Sequence, residues 1–159
     1  MNNQKLSTIL KGIIIIMAML GLGAYGVVLP WSLSTFVEQY PEFNYYYTPW
    51  LIFLLITAIP LYGILALGWS VSCEMKKDML FTKKNAKSLR LVAILLGGDA
   101  VFFFIGNIVY GLLNMNHPGV AIAAFFFSVF VILIAAAVAI LASMIDKASV
   151  IREENESII

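Results

Sequence analysis

Four stretches of this chain, residues 12–29, 50–73, 91–113 and 120–145, are long apolar runs that carry between them one charged side chain, Asp99. No other feature constrains the fold as strongly. At about 1.5 Å per residue the runs span about 27 to 39 Å as helices, the range of segments that cross a hydrocarbon layer about 30 Å thick. A backbone in lipid must satisfy its own N–H and C=O groups, which selects helices over open strands. Hydrophobic residues make up 62% of the chain, against about half in a soluble domain. The expectation is an all-α membrane protein. It is one domain over residues 1–159, with four transmembrane helices in a small bundle.

Charge placement orients those helices. Residues 74–90 hold six of the ten Lys and Arg side chains: Lys76, Lys77, Lys83, Lys84, Lys87 and Arg90. The remaining four are Lys5, Lys11, Lys147 and Arg152, and the connections 30–49 and 114–119 have none. The positive-inside rule places residues 74–90 and both termini in the cytoplasm. The basic patch then reads as an anchor on anionic lipid or a partner surface. It is short and lacks an interleaved aromatic platform, so nucleic acid is not an expected partner. Thr82 is placed to N-cap the third helix. The one cysteine, Cys73, excludes an internal disulfide and reads as a small apolar residue.

The first run follows a basic head, as in a signal peptide, but it is long and no small-residue cleavage pattern follows, so it is expected to be retained. Pro30 is expected to end it. The connection that follows is rich in aromatics, with Trp31, Phe36, Tyr40, Tyr45, Tyr46 and Tyr47. Leu33, Phe36, Val37 and Tyr40 recur at i, i+3, i+4 and i+7, which predicts a short interfacial helix over residues 33–40. This aromatic group is the candidate outer interface, set against the plainer reading of an aromatic belt. Pro60, inside the second run, predicts a kink.

Asp99 is the candidate functional residue within the membrane, because an ionisable group at that depth is costly. Asn107 and Ser128 are the polar groups grouped with it. Tyr25, Thr57, Tyr62 and Ser128 are its candidate hydroxyl partners. Two readings stand: a neutral post that fixes helix packing, and a proton- or ligand-responsive site. Ala135, Ala139 and Ser143, at i, i+4 and i+8, predict a close-packing stripe. His117, the one histidine, reads as a solvated turn residue.

YPEFNYYYTPW (residues 40–50), the run containing Pro60, LFTKKNAKSLR (residues 80–90) and the tail REENESII resemble a bacterial membrane family of unknown function, DUF2975. Phe81, Thr82, Asn85 and Arg90 match its Phe-Ser/Thr, Asn and Arg pattern before the third helix. The resemblance implies four helices in the bacterial plasma membrane and brings no catalytic residues. Its genes often neighbour small helix-turn-helix regulators, which implies regulation.

No HExxH, no Ser/His/Asp set on one membrane face and no matched Cys/His pair is present, so neither enzyme activity nor a catalytic residue, cofactor or metal is expected. The favoured function is a small non-enzymatic regulatory or accessory subunit. Its expected partners are the lipid bilayer and another membrane protein or a second copy. The alternatives are an immunity-type protein against a membrane-active peptide, and a transporter or channel component using Asp99.

Overall fold

The computed structural model describes residues 3–76 and 80–157. Five α-helices account for most of them: α1 (Asn3–Gly23), α2 (Leu29–Gln39), α3 (Tyr47–Lys76), α4 (Lys83–Leu112) and α5 (Pro118–Ser157). No strand occurs among the described residues. A π turn, Ala24–Val28, joins α1 to α2, and a 3-10 segment, Pro41–Tyr46, joins α2 to α3. Four continuous helical stretches are long and apolar enough to cross a membrane: Asn3–Gln39, Pro41–Lys76, Lys83–Leu112 and Pro118–Asn155. The chain is a multi-pass membrane protein.

Pro30 does not end the first helix. A proline ring in a regular helix clashes with the carbonyl four residues back and removes one backbone hydrogen bond. Here the turn before it is widened to the π pattern, with the Leu29 N–H reaching the Ala24 carbonyl, and the helix runs on through Pro30. A single π turn of this kind is a known way to absorb a ladder defect. The helix expected over residues 33–40 is present as α2, but it continues α1 instead of standing apart. Its true stop is Pro41. The residue before a proline is driven out of the helical region, and Tyr40 sits at φ −131°, ψ 74°. Pro60 lies inside α3 without interrupting it. Thr82 caps α4 as its sequence position predicts, its hydroxyl accepting from the Asn85 N–H at 3.3 Å.

Heptads govern the packing of α4 on α5. On α4 the buried residues Ala86, Ala93, Ala100 and Asn107 fall in one row; on α5 Ser128, Ala135, Ala142 and Ser149 do, all of them small. Each set repeats every seven residues. Between them stand partly or fully buried bulky residues: Leu89, Leu96 and Phe103 on α4, Val131, Val138 and Ile145 on α5. A seven-residue repeat on a 3.6-residue helix winds two helices left-handedly about each other. Small residues at one of the two seam positions let the backbones approach closely. The expected stripe Ala135, Ala139, Ser143 is therefore corrected. Ser143 is exposed and its hydroxyl bonds back to the Ala139 carbonyl at 3.1 Å; the true seam steps from Ala135 to Ala142.

A second seam joins α1 to α3 antiparallel, with Ser7, Ile14 and Gly21 as the buried residues of α1. Ser7 and Ser72 exchange hydroxyl-to-carbonyl bonds of 2.7 and 2.9 Å. The Tyr62 hydroxyl donates to the Ala18 carbonyl at 2.9 Å beside Gly21, where a Cβ would come within 2.9 Å of that oxygen. Tyr25 and Thr57 hydroxyls meet at 3.0 Å. In an apolar surrounding such side-chain bonds hold helices together where the hydrophobic effect does not. The third seam, α3 on α4, centres on Phe53, whose ring lies directly on Gly106.

Among the described residues α1 makes no contact with α4 or α5, and α3 makes none with α5. The bundle is an open row in the order α1, α3, α4, α5.

Candidate functional site at the aromatic end

The row has two unlike ends. The basic end carries the helix termini at Lys76, Lys83 and residues 146–157. The aromatic end gathers α2, the 3-10 segment, the start of α3 and the α4–α5 turn.

That turn is the scaffold. Asn114 adopts φ 55°, a left-handed conformation that asparagine tolerates better than most residues. The reversal turns two backbone carbonyls to use. Trp50 Nε1 donates to the Met115 carbonyl at 2.9 Å, and the Tyr46 hydroxyl donates to the Asn114 carbonyl at 2.7 Å. Asn116 donates to the Asn107 carbonyl and to its side-chain oxygen at 3.2 and 3.0 Å. Asn107 itself donates to the Phe103 carbonyl at 2.9 Å. Tyr110 is edge-on to Trp50, ring centres 4.9 Å apart, and its hydroxyl reaches the Pro49 carbonyl at 2.8 Å. Phe36, Phe43 and Tyr46 form a run of near-parallel rings with centres 5.9 and 5.4 Å apart. His117 Nδ1 accepts from the Gly119 N–H at 3.0 Å, which leaves its ring proton on Nε2 when neutral.

Between these walls lies a half-open cavity of about 560 Å³. Leu33, Phe36 and Val37 line it from α2, Phe43 and Tyr46 from the 3-10 segment, Tyr47 and Trp50 from α3, with residues 114–117 and Val120 closing the far side. No Lys, Arg, Asp or Glu lines it. Its size and its apolar walls with a few polar groups are those of a ligand pocket.

Of the aromatic residues singled out in the sequence, Phe36, Tyr46 and Tyr47 line this cavity. Tyr40 backs Phe36, with ring centres 5.3 Å apart. Tyr45 donates to the Tyr46 hydroxyl at 2.7 Å. Trp31 is 69% exposed and stands outside the lining. Asn114, Met115 and Asn116 are not marked out by the sequence, because Asn114 and Met115 contribute backbone carbonyls, Asn116 braces Asn107 with its side-chain amide, and the turn meets α3 only in the folded chain.

Asp99, Asn107 and Ser128 are not joined by any hydrogen bond among the described residues. Asp99 is half-buried on α4, and its carboxylate has no hydrogen-bond partner there. Three of the four hydroxyls expected to serve it are engaged elsewhere: Tyr25 with Thr57, and Tyr62 with the Ala18 carbonyl. Ser128 is buried in the α4–α5 seam with its hydroxyl unpartnered among the described residues, near Phe127, which packs edge-on to Phe103. Asn107 is 1% exposed and belongs to the aromatic end, where it braces the turn.

The basic patch is likewise divided. Lys83 pairs with Glu153 at 2.6 Å, Lys84 with Glu74 at 2.7 Å, and Arg90 stands 3.9 Å from Asp146. Lys76 and Lys87 are exposed, and Lys77 lies outside the described residues. No group of three metal-ligating side chains occurs among the described residues.

Neither the curated proteins nor the solved structures contain a match to this chain. A family model matches residues 31–159, which take in α5 whole and α2 from Trp31 onward, and on that match the chain belongs to the family of proteins of unknown function DUF2975.

Proposed function

We propose that this protein is a non-enzymatic membrane accessory subunit that docks an apolar segment of another protein in the cavity at its aromatic end. The supporting observation is the cavity itself: preformed, braced by hydrogen bonds from Trp50, Tyr46 and Asn116, and free of charged lining. Glu38 and Glu42 flank it on exposed positions, and no Lys or Arg lies in residues 30–49 or 114–119. The partner segment is therefore an apolar anchor flanked by basic residues. The same chemistry describes a cationic membrane-active peptide, which favours immunity as the second reading.

A synthetic Leu/Trp peptide bearing lysines, titrated into the detergent-solubilised protein, tests the docking. Phe36→Ala or Tyr47→Ala is expected to weaken binding about tenfold, as truncation of an anchor contact does. Trp31→Ala leaves binding unchanged. Equal binding of a glutamate version of the peptide, or cavity variants without effect, would overturn the reading.

The orientation belongs to the same proposal: aromatic end outside, basic end in the cytoplasm, following the ten-to-none distribution of basic residues. In a Cys73→Ser background, Gln39→Cys is expected to react with an impermeant thiol reagent in whole cells and Lys147→Cys to stay unlabelled. Both positions are exposed. The opposite labelling pattern would reverse the assignment.

A further inference from the structure

We propose that the basic end of the α4–α5 pair binds the phosphodiester headgroup of an anionic membrane lipid, with an acyl chain lying along α4. The site is a second cavity, about 390 Å³, lined by Lys83, Lys87, Arg90, Leu91, Ile94 and Asp146.

The spacing on α4 carries the argument. Positions 83, 87, 90, 91 and 94 fall at i, i+4, i+7, i+8 and i+11, which is one face of a helix. Three cations occupy its first two turns. The next turn, deeper in the apolar run, presents Leu91 and Ile94, 44% and 61% exposed. A headgroup-sized positive cup followed on the same face by an open apolar track matches an amphiphile with an anionic head, and a cation cluster at a helix–membrane boundary is where acidic lipid is attracted.

The ion pairs leave the cup unfilled. Lys83 is engaged by Glu153. Arg90 and Asp146 are 3.9 Å apart, beyond hydrogen-bond distance, so the guanidinium keeps its fork of donors, the group that fits phosphate oxygens in a two-pronged manner. Lys87 makes no ion pair among the described residues. With Lys83 held by Glu153 and Arg90 beside Asp146, Lys87 leaves the cup one positive charge in surplus, so an entering anion is met by net positive charge. Asp146 competes with it for Arg90.

Native mass spectrometry of the full chain in neutral detergent, titrated with dioleoyl phosphatidylglycerol, tests the site. One lipid is expected to be retained in preference to phosphatidylcholine. Lys87→Ala and Arg90→Ala should each reduce that retention about fivefold, near the value of one cation at an acidic surface. Arg90→Lys keeps the charge but not the fork, and should lose part of it. Asp146→Asn should tighten binding, a gain that a misfolded variant would not produce. Lys147→Ala, which removes an exposed charge outside the cavity, should leave retention unchanged. Equal loss in Lys147→Ala, equal retention of phosphatidylcholine, or weaker binding in Asp146→Asn would overturn the site. Displacement of the lipid by inorganic phosphate at comparable concentration would overturn the lipid assignment in favour of a free anion.

Discussion

Gly106→Leu is expected to be the most damaging single substitution on α4. A Cβ at this position would overlap the ring of Phe53. That ring cannot swing away, because it is 6% exposed and packed against Phe102, Phe103 and Tyr110 with centres 5.3 to 5.9 Å apart. Overpacking a tight contact costs about 1–3 kcal/mol, occasionally more, and leucine adds three carbons beyond the first clash. The loss should appear as a fall in Tm, at about 2–4 °C per kcal/mol for a chain of this size. Gly111→Ala is the control. A Cβ there meets nothing within 4 Å, and replacing a helical glycine by alanine favours the helix by about 1 kcal/mol. Phe53→Ala should partly rescue Gly106→Leu, since contacting residues couple while distant ones add. A Gly106→Leu protein that melts with the parent would show that the α3–α4 seam is looser than described.

Ala142→Leu is expected to come next. Ala142 is fully buried, at 0% exposure, in the α4–α5 seam. The small position of each heptad sets the distance between the two backbones, so a leucine there must push α5 off α4 along neighbouring turns. A cost of about 1–3 kcal/mol follows by the same overpacking argument. Ala137→Leu, at an exposed position of the same helix, should be close to neutral. Equal Tm changes for the two would remove the assigned seam.

The helices were readable because hydrocarbon leaves the backbone one choice, and apolar length reports it directly. Their ends were not. Pro30 and Pro41 look alike in the sequence, yet one is absorbed and the other stops the helix. The difference lies in the π turn ahead of Pro30, a backbone adjustment that no side-chain pattern announces. The α4–α5 seam was in plain sight as alanines every seven residues, but apolar residues on all faces of a membrane helix mask the period that polar residues would mark in water. Among the site residues, Phe36, Tyr46 and Tyr47 stood out by composition. Trp31 stood out equally and lies outside the cavity, because composition gives membership of a region and not direction. Asp99 drew attention through cost alone, and cost does not name a partner: Tyr25, Thr57 and Tyr62 are committed to carbonyls and to one another, and Ser128 makes no hydrogen bond to it.

The open row makes this molecule energetically one-dimensional. Among the described residues, each of the four long helices approaches only the long helices next to it in the order α1, α3, α4, α5, as the units of a solenoid do, where stability is nearly a sum of single units and nearest-neighbour terms. Damage to one seam has no route by which to weaken a seam that shares no helix with it. The Ser7–Ser72 joint and the Ala142 joint are therefore independent of each other. The chain can lose its grip at one end of the row while the other end remains intact.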